Sequence, residues 1–445
     1  MIIELTIQNF KSILEPTTIS FASGSATKLS GNLLRHSNGE RFVKSMALYG
    51  PNASGKTTVL DGLYALKTFV LFSSMDQNPT SPIQLAQPFA LDKSSLKRPT
   101  IISLTIDLEG ARYTLDVSVT SSRVWSETLK VQHLTKQPSR KATSKILMER
   151  TWDSKSKHYS TSLDEVLGPQ LTRKAALEQT TQNRLMLGKL ASLNSEIARS
   201  IIEWFDVDLD FYDLHRNPSV EEVKLAQTAR LFKADKQFAA RITRFMVDAD
   251  TGIQTLRVDQ EKTYNPEFSE SEKKFEFKES IGPPGLSFRH TTQDGSEVFF
   301  RRGQESSGTV RFVALLVAIL QPSPRRRLVC IDELSASMHP DLVRRLIRIV
   351  HSSSYNKLGN QVFFTTHDTH LIDPTELLRR DQVTICSKDR FGQTTTRRLD
   401  EFQDEARSDA NLQKQYLQGR FGGVPVFGST LEDVPVDDMP LEVRS

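Results

Sequence analysis

The hydrophobic pattern changes its period several times along the chain. Apolar and polar residues alternate over 3–8, which predicts an opening strand. Residues 22–44 are rich in Ser, Gly and Asn and predict a surface loop. A short apolar strand is expected at 46–49, and apolar residues at helical spacing predict a helix over 56–69. The chain is therefore expected to open with strand, loop, strand and helix.

Alternation with a period of two returns over residues 99–132. Two runs, 101–108 and 112–119, flank a Glu-Gly-Ala turn, which is a hairpin signal. A third strand is expected near 126–131, and the polar, basic segment 135–165 predicts another hairpin with a loop. These segments together predict an antiparallel β structure.

Helix-forming residues dominate from 166 to 250, most clearly over 195–205 and 220–247. Residues 252–300 predict a return to short strands, broken by the Gly-Pro-Pro-Gly sequence at 282–285. Helices and strands then alternate, which is the α/β signature. The expected helices are 308–320 and 340–351, and the expected strands are 327–331, 361–366, 382–387 and 394–399.

The predicted fold class is α/β, with a mixed sheet and flanking helices. The predicted parts are a composite head formed by 1–75 and 300–400, an antiparallel β-hairpin subdomain at 76–165, a compact helical insert with short returning strands at 166–300, and a C-terminal segment at 401–445. The last 19 residues carry five acidic residues and are expected to form a loosely held tail.

Composition narrows the class of protein only a little. A chain of 445 residues can bury a large core without disulfides, and its two cysteines form no metal or disulfide framework. The longest apolar run, 312–320, is far too short to span a membrane, and the start lacks the basic segment of a signal peptide. We therefore expect a cytoplasmic protein without a membrane partner. A net charge of +4 allows DNA binding but does not demand it.

The strongest chemical signal is the sequence Gly-Pro-Asn-Ala-Ser-Gly-Lys-Thr at 50–57, which matches the phosphate-binding pattern G-x-x-x-x-G-K-[ST]. Glycines let backbone N–H groups turn toward a phosphate, and the following helix adds its positive dipole end. Lys56 is expected to reach the β- and γ-phosphates, and Thr57 to bind Mg²⁺. The predicted nucleotide-binding residues are Gly50, Asn52, Ser54, Gly55, Lys56, Thr57 and Thr58.

An apolar strand at 328–331 ends in Asp332 and Glu333, at the strand end where open α/β sheets bind ligands. Asp332 is expected to hold Mg²⁺, and Glu333 to position and deprotonate the attacking water. A strand ending in two acids is weak evidence alone and becomes strong beside the phosphate loop. The chemistry predicted from both elements is hydrolysis of a nucleoside triphosphate.

Two further segments are open to alternative interpretations. Ser306, followed by Ser, Gly308 and Thr, precedes an apolar helix and could simply cap it. His367 follows the strand 361–366, and because His370 lies three residues on, a metal site is an alternative to a nucleotide contact.

Arginines occur in pairs or triplets at five places. They are interpreted as solvated helix ends, or as a surface for phosphate backbones or an acidic partner. They lie at 301–302, 325–327, 344–345, 379–380 and 397–398.

Four elements resemble an ABC-type ATPase head of the RecF/SMC class. In chain order they are the phosphate loop at 50–57, the segment that begins at Ser306, the acidic strand end at 332–333 and the segment that contains His367. Ser306-Ser-Gly-Thr stands where that class has its Leu-Ser-Gly-Gly-Gln signature, although Glu305 replaces the leucine and Ser307 a glycine. Residues 335–339 follow the acidic strand as the D-loop does, and His367 matches the switch histidine. The opening sequence Leu-Thr-Ile-Gln-Asn-Phe-Lys-Ser at 5–12 also resembles the class.

A narrower resemblance rests on the sequence Tyr-Leu-Gln-Gly-Arg-Phe-Gly-Gly-Val-Pro at 416–425 together with Asp332-Glu333 and Met-His-Pro at 338–340. These residues are similar to stand-alone bacterial ATPases of the RloA and AbiL kind, which include AriA of the PARIS anti-phage system. The resemblance covers about 1–75 and 300–425 well and covers 150–300 poorly. The short helical stretch, interrupted by Gly and Pro, argues against the long arms of SMC proteins.

The resemblance implies heads that dimerise with ATP between them. Lys56, Glu333 and His367 would act on the nucleotide bound in their own subunit, whereas Ser306 and Gly308 would contact the γ-phosphate in the other subunit. The class also has a glutamine in a lid loop, for which Gln84 and Gln87 both qualify. The implied cofactors are ATP and Mg²⁺.

The function expected from the resemblance is that of a sensor and scaffold in bacterial anti-phage defence. No effector motif follows residue 368, so a separately encoded effector, of the Toprim nuclease type, is expected as a partner. The alternatives are a RecF-like DNA-repair ATPase that binds DNA, and a structural scaffold that binds ATP with negligible turnover.

Overall fold

The computed structural model describes residues 1–36, 38–73, 75, 78–133, 143–212, 218–249, 251–269, 273–372, 377–402 and 412–424. The strands are β1 Ile2–Gln8, β2 Thr17–Ser20, β3 Leu33–Arg35, β4 Arg41–Val43, β5 Ser45–Tyr49, β6 Thr100–Leu108, β7 Ala111–Thr120, β8 Arg123–His133, β9 Ser144–Asp153, β10 His158–Leu163, β11 Leu209–Tyr212, β12 Thr255–Ser269, β13 Lys274–Thr291, β14 Glu297–Arg301, β15 Leu328–Ile331, β16 Gln361–Thr365, β17 Val383–Lys388 and β18 Thr394–Arg398. The helices are α1 Lys56–Phe72, α2 Gln170–Gln179, α3 Met186–Ser192, α4 Glu196–Glu203, α5 Pro218–Ala234, α6 Lys236–Val247, α7 Ser307–Leu320, α8 Pro340–His351 and α9 Leu412–Leu417.

A central sheet carries the strands that end at the predicted site. Its order is β11-β15-β16-β5-β17-β18, and neighbouring strands are parallel except for β17 and β18. The strand order differs from the chain order, so the loops after β5, β15 and β16 meet at one edge. The α/β prediction is confirmed.

Helices and a second sheet cover both faces of the central sheet. Along β5, Met46 and Leu48 point into one hydrophobic core, and Ala47 and Tyr49 into another. Such a strand is apolar at every position because side chains alternate between two buried faces. This explains why the runs at 46–49 and 328–331 were readable as strands from the sequence.

The first core lies between the central sheet, α1 and an antiparallel sheet of order β10-β9-β8-β7-β6-β1-β2. The hairpin predicted at 101–119 is present as β6 and β7, and the one within 135–165 as β9 and β10. β1 pairs with β6, with Leu5 opposite Leu104. The sheet therefore crosses the boundary that the sequence predicts at residue 75.

The second core lies on the other face, against α5, α6, α7 and α8. The segment 166–300 contributes to both cores, because α3 and α4 pack in the first one. It also supplies β11, a strand at the edge of the central sheet that the sequence pattern did not predict. β11 has only four residues, one of which is Asp210, and a segment this short shows no clear alternation of apolar and polar positions.

Two other predictions of local structure were wrong. Residues 22–44 contain β3 and β4, which pair with each other and bury Leu33 and Val43, so this segment is not only a surface loop. Residues 252–300 form long strands, because β13 continues through the sequence at 282–285. A register shift opposite Gln260 places one extra residue in β13, which is how a strand accommodates Pro283.

The predicted acidic tail lies outside the described residues, and so do residues 135–142 of the segment in which the sequence predicts a hairpin loop. No helix among the described residues is long and apolar enough to cross a membrane.

Candidate nucleotide-binding site

The predicted phosphate loop connects β5 to α1, and its backbone requires glycine at two positions. Gly50 and Gly55 have φ angles of 150° and 99°, which disfavour residues with a Cβ atom. A Cβ atom on Gly50 would lie 2.2 Å from the Cys386 carbonyl oxygen, and one on Gly55 would lie 2.1 Å from Thr394 Oγ1. The loop is thus wedged against β17 and β18, and Asn52 at its tip is exposed.

Lys56 begins α1 and is buried against the loop. Its Nζ donates hydrogen bonds to the carbonyl oxygens of Gly50 and Pro51, both at 2.9 Å. Burial lowers the pKa of Lys56, because a charged group loses hydration inside the protein. A phosphate anion beside this ammonium group would reverse that effect.

Ser54 shows that the loop fits a phosphate. Its hydroxyl is buried, at 1% exposure for the residue, and forms no hydrogen bond within the part of the chain that the structure describes. A buried hydroxyl without a partner costs free energy unless a ligand satisfies it. A phosphate oxygen in the loop would accept this hydrogen bond.

Side-chain oxygens that could bind a metal ion meet where the phosphate loop approaches the end of β15. Thr57 Oγ1 donates to Asp332 Oδ1 and Oδ2 at 3.1 and 3.2 Å, and Asp332 Oδ1 accepts from Thr365 Oγ1 at 2.6 Å. Mg²⁺ prefers a small number of protein oxygens together with water and substrate phosphates. Thr57 and Asp332 would therefore hold this ion, as the sequence predicts. Thr365 is a positioning residue that sequence reasoning missed, since it looked like the end of an apolar strand.

Glu333 occupies a strained backbone position next to Asp332. Its φ angle is 50°, and its N–H donates to Thr365 Oγ1 at 2.7 Å. Arg311 of α7 donates to the carbonyl oxygens of Asp332 and Glu333 at 3.2 and 2.6 Å. Non-glycine residues with positive φ cluster at functional sites, where surrounding contacts hold them. No pattern in the sequence indicates the part that Arg311 plays.

His367 follows β16 at the same edge. Partial loss of water around the imidazole lowers the pKa of His367; nearby Lys56 lowers it further, whereas Asp332 raises it. These surroundings favour the neutral form of the ring in the protein without nucleotide. His370, the other histidine of the alternative metal site, bonds through Nδ1 to Asp368 at 2.9 Å. Within the described ranges, His, Cys, Asp and Glu side chains nowhere assemble in a group of three that could hold a metal ion.

The segment around Ser306 begins α7. Ser306 Oγ accepts from the N–H of Thr309 at 3.1 Å, so the residue does cap the helix, and it is exposed. A Cβ atom on Gly308 would lie 2.2 Å from the Ser337 carbonyl oxygen, which means that glycine allows α7 to touch the segment 335–339. Whether Ser306 and Gly308 contact a nucleotide in a second subunit stays a prediction.

Gln84 and Gln87 are both exposed beside the N-terminal turn. The Gln87 carbonyl accepts from the N–H of Lys11 at 2.6 Å, and Gln87 Nε2 donates to the Gln84 carbonyl at 2.8 Å. Because both residues belong to the same turn, the structure gives no reason to prefer one as the lid-loop glutamine.

The C-terminal motif packs behind the phosphate loop. Tyr416 meets Tyr49 edge to face, with ring centroids 5.9 Å apart, and donates to the Gly423 carbonyl at 2.7 Å. A Cβ atom on Gly423 would lie 2.5 Å from Ile385 of β17. These contacts link 416–424 to the two strands that support the loop.

One arginine in each of two clusters is buried and not solvated, in contrast to the prediction. Arg327 is buried and donates to the Ala318 carbonyl at 2.9 Å, with Asp210 at 3.3 Å. Arg379 is buried and forms an ion pair with Asp381 at 2.7 Å. Both guanidinium groups are used within the fold, so these two are not part of a surface for nucleic acid.

The fold and the site define a P-loop ATPase of the AAA/ABC type. A protein-family model described as "AAA domain, putative AbiEii toxin, Type IV TA system" matches residues 45–373, which is most of the chain. The chain belongs to this family, whose name refers to an abortive-infection context. A comparison with curated proteins found no match.

Proposed function

We propose that this protein is an ABC-class ATPase of the RecF/SMC type, and that it acts as sensor and scaffold in bacterial anti-phage defence. Two copies would close over ATP, and the closed or open state would control a separately encoded effector, such as a Toprim-type nuclease. The observation that carries the proposal is the junction of three elements: the phosphate loop, Asp332 and Glu333, and the start of α7, which Arg311 ties to them. The abortive-infection context of the family supports the role in defence.

The chain's own residues divide the work of hydrolysis. Backbone N–H groups of 50–57, Ser54 and Lys56 would bind and neutralise the phosphates. Thr57 and Asp332 would hold Mg²⁺, which supplies additional neutralisation of charge on the phosphates when bound. Glu333 would orient the attacking water and accept its proton, and the contacts of Thr365 and Arg311 hold its backbone in place. His367 can donate a hydrogen bond toward the γ-phosphate.

The second subunit would complete the site. Ser306 is exposed at the N-terminus of a 14-residue helix, where N–H groups and the helix dipole favour an anion. The contact between Gly308 and Ser337 couples this helix end to the residues that follow Glu333. Loss of the γ-phosphate would remove the group that bridges the subunits and would loosen the pair, which is a two-state switch.

Mixed dimers test the shared site. Ser306→Arg should leave ATP binding by the monomer nearly unchanged but block dimer closure and turnover, because a bulky side chain stands at the seam. Lys56→Ala should lack ATP binding. When the two inactive proteins are mixed, each mixed dimer has one composite site that carries both changes and one that carries neither. Each mixed dimer should therefore hydrolyse ATP at up to about half the rate of a wild-type dimer, and the homodimers in the sample should stay inactive.

Association of tagged Ser306→Arg with untagged Lys56→Ala is measured in the same sample, as a control for subunit exchange. Wild-type turnover by Ser306→Arg alone would refute the shared site. Mixed dimers that form but stay inactive would show that one intact composite site is insufficient for turnover.

Co-purification with the product of the adjacent gene tests whether a separately encoded effector binds this protein. If the adjacent gene encodes a replication protein in place of an effector, the alternative role in DNA repair would be favoured.

A further inference from the structure

The structure indicates in which direction a nucleotide would extend from the phosphate loop. Thr57 faces Asp332 on one side, where the γ-phosphate would be attacked. The next residue, Thr58, faces the opposite side and accepts a hydrogen bond from Ser12 at 3.2 Å. In the central sheet β15 and β16 lie on one side of β5, and β17 and β18 on the other. The α-phosphate, the ribose and the base would therefore extend toward β18.

Ser12 marks the start of this path, and the buried Thr394 supports it. Their hydroxyl oxygens lie 2.8 Å apart, and Thr394 Oγ1 donates to the Ser54 carbonyl at 3.0 Å. The Thr394 N–H also donates to the Ser12 carbonyl at 2.7 Å. A turn near the N-terminus and the start of β18, 382 residues apart, thus meet beside the first turn of α1.

The N-terminal turn is held in a strained shape. Asn9 and Lys11 have φ angles of 51° and 49°, which non-glycine residues adopt rarely outside functional sites and tight turns. The Asn9 side chain donates to the Ser95 carbonyl at 2.9 Å and accepts from the Phe89 N–H at 3.0 Å. The segment that contains Leu91 is therefore fixed to the same turn.

The loop between β17 and β18 presents an aromatic ring at the end of the path. Asp389 Oδ1 accepts from the N–H groups of Phe391 and Gln393 at 2.8 and 2.9 Å, so the loop is preorganised. The Phe391 side chain is nevertheless 65% exposed, and Leu91 is 73% exposed. Leu91 packs on Gly392, where a Cβ atom would lie 2.5 Å from it. Because Gly392 follows Phe391 in the chain, two large exposed apolar residues lie close together at this surface.

We propose that Phe391 and Leu91 form the surface that binds the base of ATP, with Ser12 beside the ribose and α-phosphate and the buried Thr394 holding Ser12 in place. A flat apolar ring exposed to water next to a phosphate site suits stacking by a purine, which has a π-face of its own. The inference rests on the proposed ATP-binding function, and it adds the residues that would give the site affinity for a nucleoside rather than for phosphate alone.

Binding of ATP and of inorganic triphosphate separates the two parts of the site. Phe391→Ala should weaken ATP binding about 5- to 150-fold, the range that corresponds to loss of one stacked base. Its affinity for inorganic triphosphate should equal that of the wild type, because the phosphate loop is unchanged. The matched control is Phe72→Ala, which removes a 57% exposed ring at the far end of α1 and should change neither affinity.

A second variant gives a direct signal. Phe391→Trp should keep near wild-type affinity for ATP, and its indole fluorescence should be quenched by ATP but not by inorganic triphosphate, relative to the wild-type protein. Equal ATP affinity of Phe391→Ala and the wild type would overturn the inference, as would a change in self-association without a change in ATP affinity. If the wild type bound neither ligand, the proposed function would fail and this inference with it; binding of triphosphate as tightly as ATP would overturn the inference alone.

Discussion

The two edges of the central sheet are both rich in polar residues, yet they differ in how those residues are satisfied. At the edge where the parallel strands begin, Ser45, His351 and Gln382 bond to one another, with Ser45 Oγ 2.9 Å from His351 Nε2. Asn32 extends this network by donating to Gln382 Oε1 at 2.7 Å. All four residues are buried. The polar groups at this edge bond to one another and stabilise the fold, so we call it the closed edge.

At the edge where the parallel strands end, which we call the open edge, some polar side chains remain able to bind a ligand. The Ser54 hydroxyl has no partner among the described residues, Lys56 turns back onto loop carbonyls, and Thr57 is exposed. Leaving a buried polar group unsatisfied destabilises the free protein. The comparison teaches that polarity at a sheet edge does not identify a site by itself; unsatisfied polar groups around a strained loop do.

Substitution of one lysine at each edge tests the comparison most strongly. Lys56→Ala should abolish ATP binding, since backbone N–H groups alone do not neutralise the phosphate charge. Lys44 is the matched residue at the closed edge, where its Nζ donates to the His351 carbonyl at 2.7 Å. Lys44→Ala should lower the free energy of unfolding by about 1–3 kcal/mol, the cost of a buried carbonyl left without its donor, and keep ATP affinity.

Equilibrium ATP binding and chemical denaturation of both proteins measure the two effects. Normal ATP affinity in Lys56→Ala would show that the loop is not the phosphate site. A loss of ATP affinity in folded Lys44→Ala would show that the closed edge also serves binding.

Glu333→Gln should separate binding from chemistry at the open edge. The amide keeps the shape but cannot accept the proton of water, so ATP should still bind while hydrolysis slows at least about a hundred-fold. Phosphate release in a single turnover measures this step, and closed dimers should accumulate. Glu149→Gln, a change at an exposed position of β9, is the control. Unchanged turnover in Glu333→Gln would assign water activation to another residue.

The smallest effect is expected from acid at the closed edge. Burial, together with nearby Lys44, lowers the pKa of His351 from 6.5 to about 3. The unfolded chain therefore binds more protons than the folded chain below pH 6.5, so stability falls as pH falls from there toward 3. This single group can contribute a slope of up to about 1.4 kcal/mol per pH unit.

His351→Gln should reduce that slope between pH 6.5 and 5, even if the protein is less stable at pH 7. Denaturation of the wild type and of His351→Gln at several pH values measures it. An unchanged slope in His351→Gln would mean that the imidazole does not stay neutral in the closed network.

The sequence supported the prediction of elements whose signal is local. The phosphate loop, the acidic strand and the helices 56–69, 308–320 and 340–351 could be predicted because spacing and composition within a few residues decide them. β11 and the pair β3 and β4 could not, because strands of three or four residues gain stability only from partners far along the chain. Arg327 and Arg379 were misjudged for a similar reason, since their acidic partners decide whether they are buried.

By itself, the sequence determined that this is an α/β protein with a phosphate-binding loop, and which residues could act on a phosphate. Only the tertiary structure decided which polar edge is closed, that Thr365 and Arg311 position Asp332 and Glu333, and that Ser12 meets Thr394 beside α1. The physical reason is range. Backbone preference and hydrophobic period act between neighbours in the chain, whereas the partner of a side chain depends on strand order, which is a property of the whole packed sheet.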